Sequence, residues 1–232
     1  MKRIFSLLVS ALLLLGSTQA TAAASPLPGI DISQWQGSID WSKVGNSDVE
    51  FVIIRATHGD YVDTHYALNS AAATSEGIPW TAYSYADPRK KEGTAIEQAD
   101  LFVATAGLTR GNILPVLDLE TTGGLGRSRL QTWVSQWLRR VQNKTGAKAI
   151  IYTSPSFWTS AMGDTRRFAE RGHKLWIAHW GVRRPTVPAG NWGGRGWSFW
   201  QWTSDGSVSG IQGRVDKNRF NGSRIGPRYR IR

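Results

Sequence analysis

The chain has 232 residues, with 28 Lys and Arg against 17 Asp and Glu, and a net charge of +11. It contains no cysteine, which excludes disulfides, a thiolate nucleophile, a Cys-ligated metal and a lipid-modified N-terminal cysteine. Burial alone must hold such a fold, and twelve tryptophans supply apolar surface for it.

Lys2 and Arg3 precede an apolar run, 4–16, and the small residues "STQATAAASP". This is the layout of a secretory signal peptide with a cut near Ala22 or Ala24, and the run falls short of the about 20 residues a membrane span needs. The expected organisation is a signal peptide over 1–24, one globular unit over 25–220 and a basic tail over 221–232. Without Lys2 and Arg3 the charge is still +9, which favours an anionic partner: nucleic acid, a membrane surface or an acidic polysaccharide. A loose tail, "NGSRIGPRYRIR", accounts for part of the excess.

Short apolar runs then alternate with helical patterns. Strands are expected at 29–33, 51–56, 80–85, 113–120, 149–154, 175–180, 198–203 and 213–218. Helical patterns fall between the third and fourth (94–107) and between the fourth and fifth. In the latter, Leu130, Trp133, Val134, Trp137, Leu138 and Val141 recur at i, i+3, i+4 spacing. Thr94 with Glu97 and Ser128 with Gln131 are spaced as capping boxes, and Gly146 sits where the second helix would stop. Strand–helix–strand alternation argues for a parallel sheet, and eight strands in this length for a closed α/β barrel. The last strands have only Gly-rich connections such as 181–196, where regular helices are not expected.

"ILPVLDLE" (113–120) is apolar until it ends in two acids. Side chains alternate along a strand, so Asp118 and Glu120 share one face and Leu117 and Leu119 the other. In a barrel the leucines would lie under the helices and the acids would face the mouth at the C-terminal rim. Asp31, flanked by Ile30 and Ile32, repeats the scheme on the first strand, and Asp216 follows Val215 on the last. Because a closed barrel makes first and last strands neighbours, four carboxylates are expected at one mouth, unless Arg55 or Arg214 pairs them off. Crowding and burial should raise one acid while the others stay low, giving the proton donor and the anion that glycosidic cleavage requires.

Rings that can stack on a sugar are Tyr83, Tyr85, Tyr152, Trp180 and Trp202, with Trp176 and Trp200 sharing faces with the last two; for any single Trp, core packing is the commoner role. His58, His65, His173 and His179 show no metal-binding spacing, and no cofactor is expected. "GGLGRS" (123–128) lacks the P-loop and dinucleotide patterns and reads as a flexible rim loop.

The ordered stretches "GIDISQWQGSIDW", "FVIIRATHGDYVD", "GIPWTAYSY", "ILPVLDLE", "IIYTSPSFW", "LWIAHW" and "FWQWTSDGSVSGIQGRVDKNRF" together resemble glycoside hydrolase family 25, the lysozymes of the Chalaropsis and phage endolysin type. They span roughly 29–220. The resemblance implies a flattened, TIM-like (β/α)5(β)3 barrel and a monomer. The activity it implies is cleavage of the β-1,4 bond between N-acetylmuramic acid and N-acetylglucosamine in peptidoglycan, outside the cytoplasm. It assigns Glu120 as general acid/base, Asp118 as the acid assisting the substrate's N-acetyl group, and Asp31 and Asp216 as further rim aspartates. Whether the reaction is substrate-assisted stays open. Two departures stand near the expected cleft: Arg55 and His58 where relatives read Lys-x-x-Glu, and Tyr83-Ser84-Tyr85 where they read Tyr-His-Phe. No wall-binding repeat is present, so the basic surface is expected to hold the acidic polymer.

Three other readings fit the residues less well. A chitinase-like hydrolase usually reads D-x-x-D-x-D-x-E, and Val116 breaks that pattern. A non-catalytic glycan-binding protein on this scaffold has no need of a proton donor. Nucleic-acid binding lacks a motif to carry it.

Overall fold

The structure, a computed structural model, describes residues 25–232; the expected signal peptide lies outside the described residues. Among the described residues nine strands form one sheet: β1 (Leu27–Ile32), β2 (Val52–His58), β3 (Tyr61–Val62), β4 (Trp80–Tyr85), β5 (Val116–Asp118), β6 (Ile150–Thr153), β7 (Leu175–Ala178), β8 (Phe199–Gly206) and β9 (Val215–Phe220). Their order is β1-β9-β8-β7-β6-β5-β4-β2-β3, and pairing of β1 with β2 closes a barrel of eight strands, with β3 folded back on the end of β2. The expected barrel is present, with one difference in direction. β1, β2 and β4 to β8 run parallel, whereas β9 returns directly from β8 and is antiparallel to both β8 and β1.

Helices α1 (Trp41–Gly45), α2 (Tyr66–Ser75), α3 (Thr94–Ala106), α4 (Arg127–Thr145), α5 (Pro155–Ser160) and α6 (Arg167–Glu170) fill the connections up to β7. All six residues of the expected α4 stripe are buried, and Gly146 ends the helix in the left-handed conformation open to glycine. The two expected capping boxes do not form. α3 and α4 start at Gly93 and Gly126 without a side-chain cap; Thr94 Oγ1 instead accepts from Trp133 Nε1 (2.9 Å) and Gln131 donates to the Met162 carbonyl (2.9 Å). The Gly-rich stretch between β7 and β8 forms no regular right-handed helix. Ala189, Asn191 and Trp192 take φ of 57°, 55° and 51°, which costs L-residues about 1–2 kcal/mol each. Ala189 N–H donating to Asp164 Oδ1 (2.6 Å) and Trp192 Nε1–H donating to the His173 carbonyl (2.8 Å) hold that turn.

Strand parity splits the apolar residues into two cores. Ile30, Ile32, Ile54, Leu117, Leu119, Ile151 and Ile177 pack outward under the helices. Phe51, Ile53, Val116, Ile150, Tyr152, Trp176, Phe199 and Phe220 fill the barrel interior. The second core ends below in a plug: Ile225, Tyr229 and Ile231 are buried, and Tyr229 packs its ring 4.8 Å from that of Phe220. Residues 221–232 are thus not the loose tail expected from their charge. Their apolar members alternate with arginines, so the chain buries one set under the barrel and leaves the cations outside.

Candidate active site

Asp118 is the last residue of β5, its carbonyl accepting from Ala86 N–H (2.8 Å), and Leu119 N–H donates to the Tyr152 carbonyl (3.0 Å). With β4 and β6 gripping the backbone on both sides, alternation sends Leu117 and Leu119 into the outer core and Asp118 and Glu120 into the mouth. Asp31 is the direct register partner of Asp216 across β1 and β9. Because β9 runs against the other strands, the acid near its start reaches the rim where theirs end. All four carboxylates line one pocket of about 210 Å³, with Tyr83, Tyr85, Tyr152, Trp176, Arg55 and Gln201. The larger depressions beside Thr94, Lys174, Phe168 and Trp80 hold at most one acidic side chain each.

Neither arginine considered as a partner neutralises these acids. Arg214 pairs with Asp205 (3.0 Å). Arg55 reaches the pocket wall but gives its Nε–H to Asp63 (2.7 Å). The acids are hydrogen-bonded to one another and to amides instead. Asp118 is paired with Glu120, and Asp31 with Asp216, each pair able to share a proton. Gln201 Nε2 donates to Asp31 (2.9 Å) and Asp216 (3.1 Å), while its Oε1 accepts from Tyr152 Oη (2.9 Å) and Trp180 Nε1 (3.0 Å). Asn218 Nδ2 donates to Asp31 (2.7 Å) and Asn218 Oδ1 accepts from Trp176 Nε1 (2.8 Å).

The electrostatics differ from the expectation of one raised acid among low ones. All four carboxyls are raised. Asp31 and Asp118 lie well above the usual range, burial being the first cause and the neighbouring carboxylate the second. Glu120 and Asp216 are raised mainly by burial and pulled back by hydrogen bonds from Asp118 and Asp31. Glu120 has exposed surface at the mouth, yet protein crowds its inner side enough to penalise the charge. The site therefore keeps protons in hand between paired acids. Burial and the Glu120 charge push the Tyr85 phenol up to about 12, so it remains a donor.

Of the expected sugar-stacking rings, Tyr83, Tyr85 and Tyr152 line the pocket. Trp180, 51% exposed, stands beside it through its bond to Gln201. Trp202 does not belong there. It packs against the outer core, with the Arg219 guanidinium 4.8 Å from its ring, because alternation along β8 turns it outward with Trp200. His179 also faces away, accepting from Thr186 N–H (2.9 Å).

The departures separate in the same manner. A bulge between Arg55 and Thr57 restarts the register of β2, so that His58 pairs with Tyr85 and their rings lie 4.4 Å apart at the rim. Ser84 sits behind the wall, fully buried and accepting from Thr57 Oγ1 (2.9 Å), so it is not at the cleft. Nor does the Gly-rich rim loop hang free. A Cβ on Gly123 would lie 1.3 Å from the Pro88 carbonyl oxygen, so only glycine permits that close approach.

Sequence reading missed Trp35 and Asp63. Trp35 lines the pocket, 76% exposed, on a 3-10 turn over Gln34–Gln36. The signal was a capping box, Ser33-Gln-Trp-Gln36: the Ser33 hydroxyl accepts from Trp35 N–H (3.3 Å), and Gln36 Oε1 accepts from Ser33 N–H (2.8 Å). Asp63 ties that turn to the wall, accepting from Gln34 N–H (3.0 Å), His65 N–H (3.0 Å) and Arg55.

A closed β/α barrel with a cluster of carboxyls and aromatic rings at the C-terminal rim is the arrangement of a glycoside hydrolase. Residues 30–211 match the family model described as glycosyl hydrolases family 25, and the chain belongs to that family. It is 39% identical to Lysozyme M1 of Streptomyces globisporus over 216 residues, covering 89% of this chain and 71% of the relative. It is 30% identical to the N,O-diacetylmuramidase of Chalaropsis sp, covering 81% and 95%. A bacterial lysozyme from Streptomyces coelicolor has the same fold, with a TM-score of 0.79 and 36% identity over 88% of this chain and 94% of that one. The chain is an enzyme, a glycoside hydrolase.

Proposed function

We propose that this enzyme is a muramidase that cleaves the β-1,4 bond between N-acetylmuramic acid and N-acetylglucosamine in peptidoglycan. One observation carries the assignment of roles: Glu120, at the open mouth, is paired with the deeper Asp118, whose buried Oδ1 receives no hydrogen bond from an N–H or hydroxyl donor. A general acid must reach the leaving oxygen, and Glu120 is the member of the pair with exposed surface. A buried carboxylate oxygen without a donor suits the acetamido N–H of the sugar. In the resting pair Asp118 holds the shared proton. As the acetamido group arrives that proton passes to Glu120, which delivers it to the glycosidic oxygen while the Asp118 carboxylate orients the acetamido N–H and steadies the positive charge growing at the anomeric carbon. Glu120 then takes a proton from the incoming water. Asp31 and Asp216, locked by Gln201 and Asn218, set the field beneath.

The lysozyme and muramidase relatives support the substrate class. The leader-like residues 1–24 support action outside the cytoplasm, in the periplasm or beyond it. Mass spectrometry of products from purified wall tests the reading. New reducing ends should carry muramic acid, and Glu120→Gln should abolish them with the circular dichroism spectrum unchanged. Reducing glucosamine ends would reassign the enzyme as a glucosaminidase.

A further inference from the structure

The cleft is acidic, yet the chain is strongly basic, so its cations must be gathered elsewhere. Many are at the opposite end of the barrel. Lys148 and Lys174 stand just before β6 and β7, and the plug contributes Arg228, Arg230 and Arg232; together they line one depression with no acidic side chain. Lys148 also borders a second depression, where Arg139, Arg167 and Arg171 face a single acid, Glu170. Among the described residues none of these eight cations forms an ion pair. Their neighbours are uncharged. Lys148 Nζ donates to the Arg171 carbonyl (2.7 Å), Arg230 Nη1 to the Gly111 carbonyl (2.6 Å), and Lys174 and Arg228 lie over the Tyr229 ring.

Such a face repels itself unless something anionic covers it. We infer that this lower face is a second binding surface for the wall polymer, holding the carboxylates of one peptidoglycan strand while the cleft works on another. The inference rests on the muramidase reading. Two joined depressions suit an extended chain whose charges recur along its length. None of the large exposed apolar side chains among the described residues lines either depression, which leaves nothing there to enter a bilayer. A cross-linked mesh offers strands on both sides of a domain this size, so retention below and cleavage above are compatible.

The test uses the full mature chain carrying Glu120→Gln, pelleted with intact purified wall sacculi. The further substitutions Lys148→Glu, Arg171→Glu, Arg228→Glu and Arg232→Glu all change exposed side chains. They should cut retention about tenfold or more. Retention of the parent should also collapse as salt rises from about 0.1 M to about 1 M, which shortens the screening length from about 10 Å to about 3 Å. With Glu120 restored, the same four changes should lower the rate on sacculi but leave cleavage of a short soluble glycan intact, because such a substrate does not reach the lower face. Retention that survives the four changes, survives salt, or persists on sacculi whose carboxyls have been amidated would overturn the inference. So would tighter binding to vesicles of anionic phospholipid than to wall. Failure of the parent enzyme on the soluble glycan would instead strike the muramidase reading, since retention is measured without catalysis.

Discussion

Gln201 and Asp31 are 170 positions apart in sequence and joined by a 2.9 Å hydrogen bond. Gln201 is 2% exposed and uses both ends of its amide: Tyr152 and Trp180 fix the oxygen, which forces the nitrogen towards Asp31 and Asp216. It is a positioning residue. Gln201→Glu keeps the shape but replaces the donor with an acceptor and puts a fifth carboxyl against two raised acids. We expect kcat to fall about 10²-fold or more, with stability lower by about 1–3 kcal/mol. Steady-state kinetics and urea unfolding check both. Wild-type kcat in Gln201→Glu would show that the clamp is ornamental.

Asp118 should destabilise the native state at neutral pH. Its folded pKa is raised, so between the ordinary carboxyl range and that raised value the native chain binds more protons than the unfolded chain. Stability therefore falls as pH rises through this window, and the penalty is constant above it. Asp118→Asn removes the charge without removing the shape. Its Tm should exceed that of the wild type at pH 7, by about 2–4 °C per kcal/mol relieved, and the gain should vanish near pH 3, while activity is lost. Calorimetry across pH decides this, and a variant less stable at pH 7 would contradict it.

Trp35 and Trp202 give opposite expectations. The first is a ring held out over the pocket by a capped turn, with little to lose from truncation in the free enzyme. Trp35→Ala should leave Tm within the change of about 0.5 kcal/mol usual for surface sites, and should raise KM on wall glycan about tenfold, for loss of stacking on the order of 1 kcal/mol. Trp202→Ala should do the reverse, lowering stability with KM unchanged. If KM responds to Trp202→Ala instead, the outward placement of that ring is wrong.

Which parts of this were legible in the sequence follows from the range of the interactions. The alternation in "ILPVLDLE" was enough to put Asp118 and Glu120 on one face, because strand parity is local. The closure of the barrel then brought in Asp31 and Asp216, which share a register position. Parity misled where a bulge reset it: counting from Arg55 gives no hint that His58 turns in to meet Tyr85. For Trp202 parity held, since it shares the outward face of Trp200, but which face of β8 meets the cleft is set by its neighbours and not by the segment itself. The capping boxes failed for a related reason. Thr94 and Gln131 found better partners in Trp133 and Met162, contacts between distant segments, whereas Ser33 and Gln36 had no such competitors. The clamp at Gln201 joins β8 to β6, β1, β9 and Trp180 just beyond β7, and no single segment encodes it.

Composition hid the role of residues 221–232, whose arginines obscured the apolar residues between them. Leu114 N–H donates to the Tyr229 carbonyl (2.9 Å), and Ile231 N–H donates to the Asn112 carbonyl (2.9 Å), so the segment is stitched to the start of the β5 stretch. Tyr229 is 7% exposed, and its ring meets those of Phe199 and Phe220 edge-on. Truncating a buried aromatic leaves a cavity, so Tyr229→Ala should cost about 3–5 kcal/mol, or about 2–4 °C of Tm for each of those. Arg232→Ala, three residues on and exposed, should stay within about 0.5 kcal/mol. Chemical denaturation of the two variants side by side separates a plug from a tail, since a tail would make both changes silent.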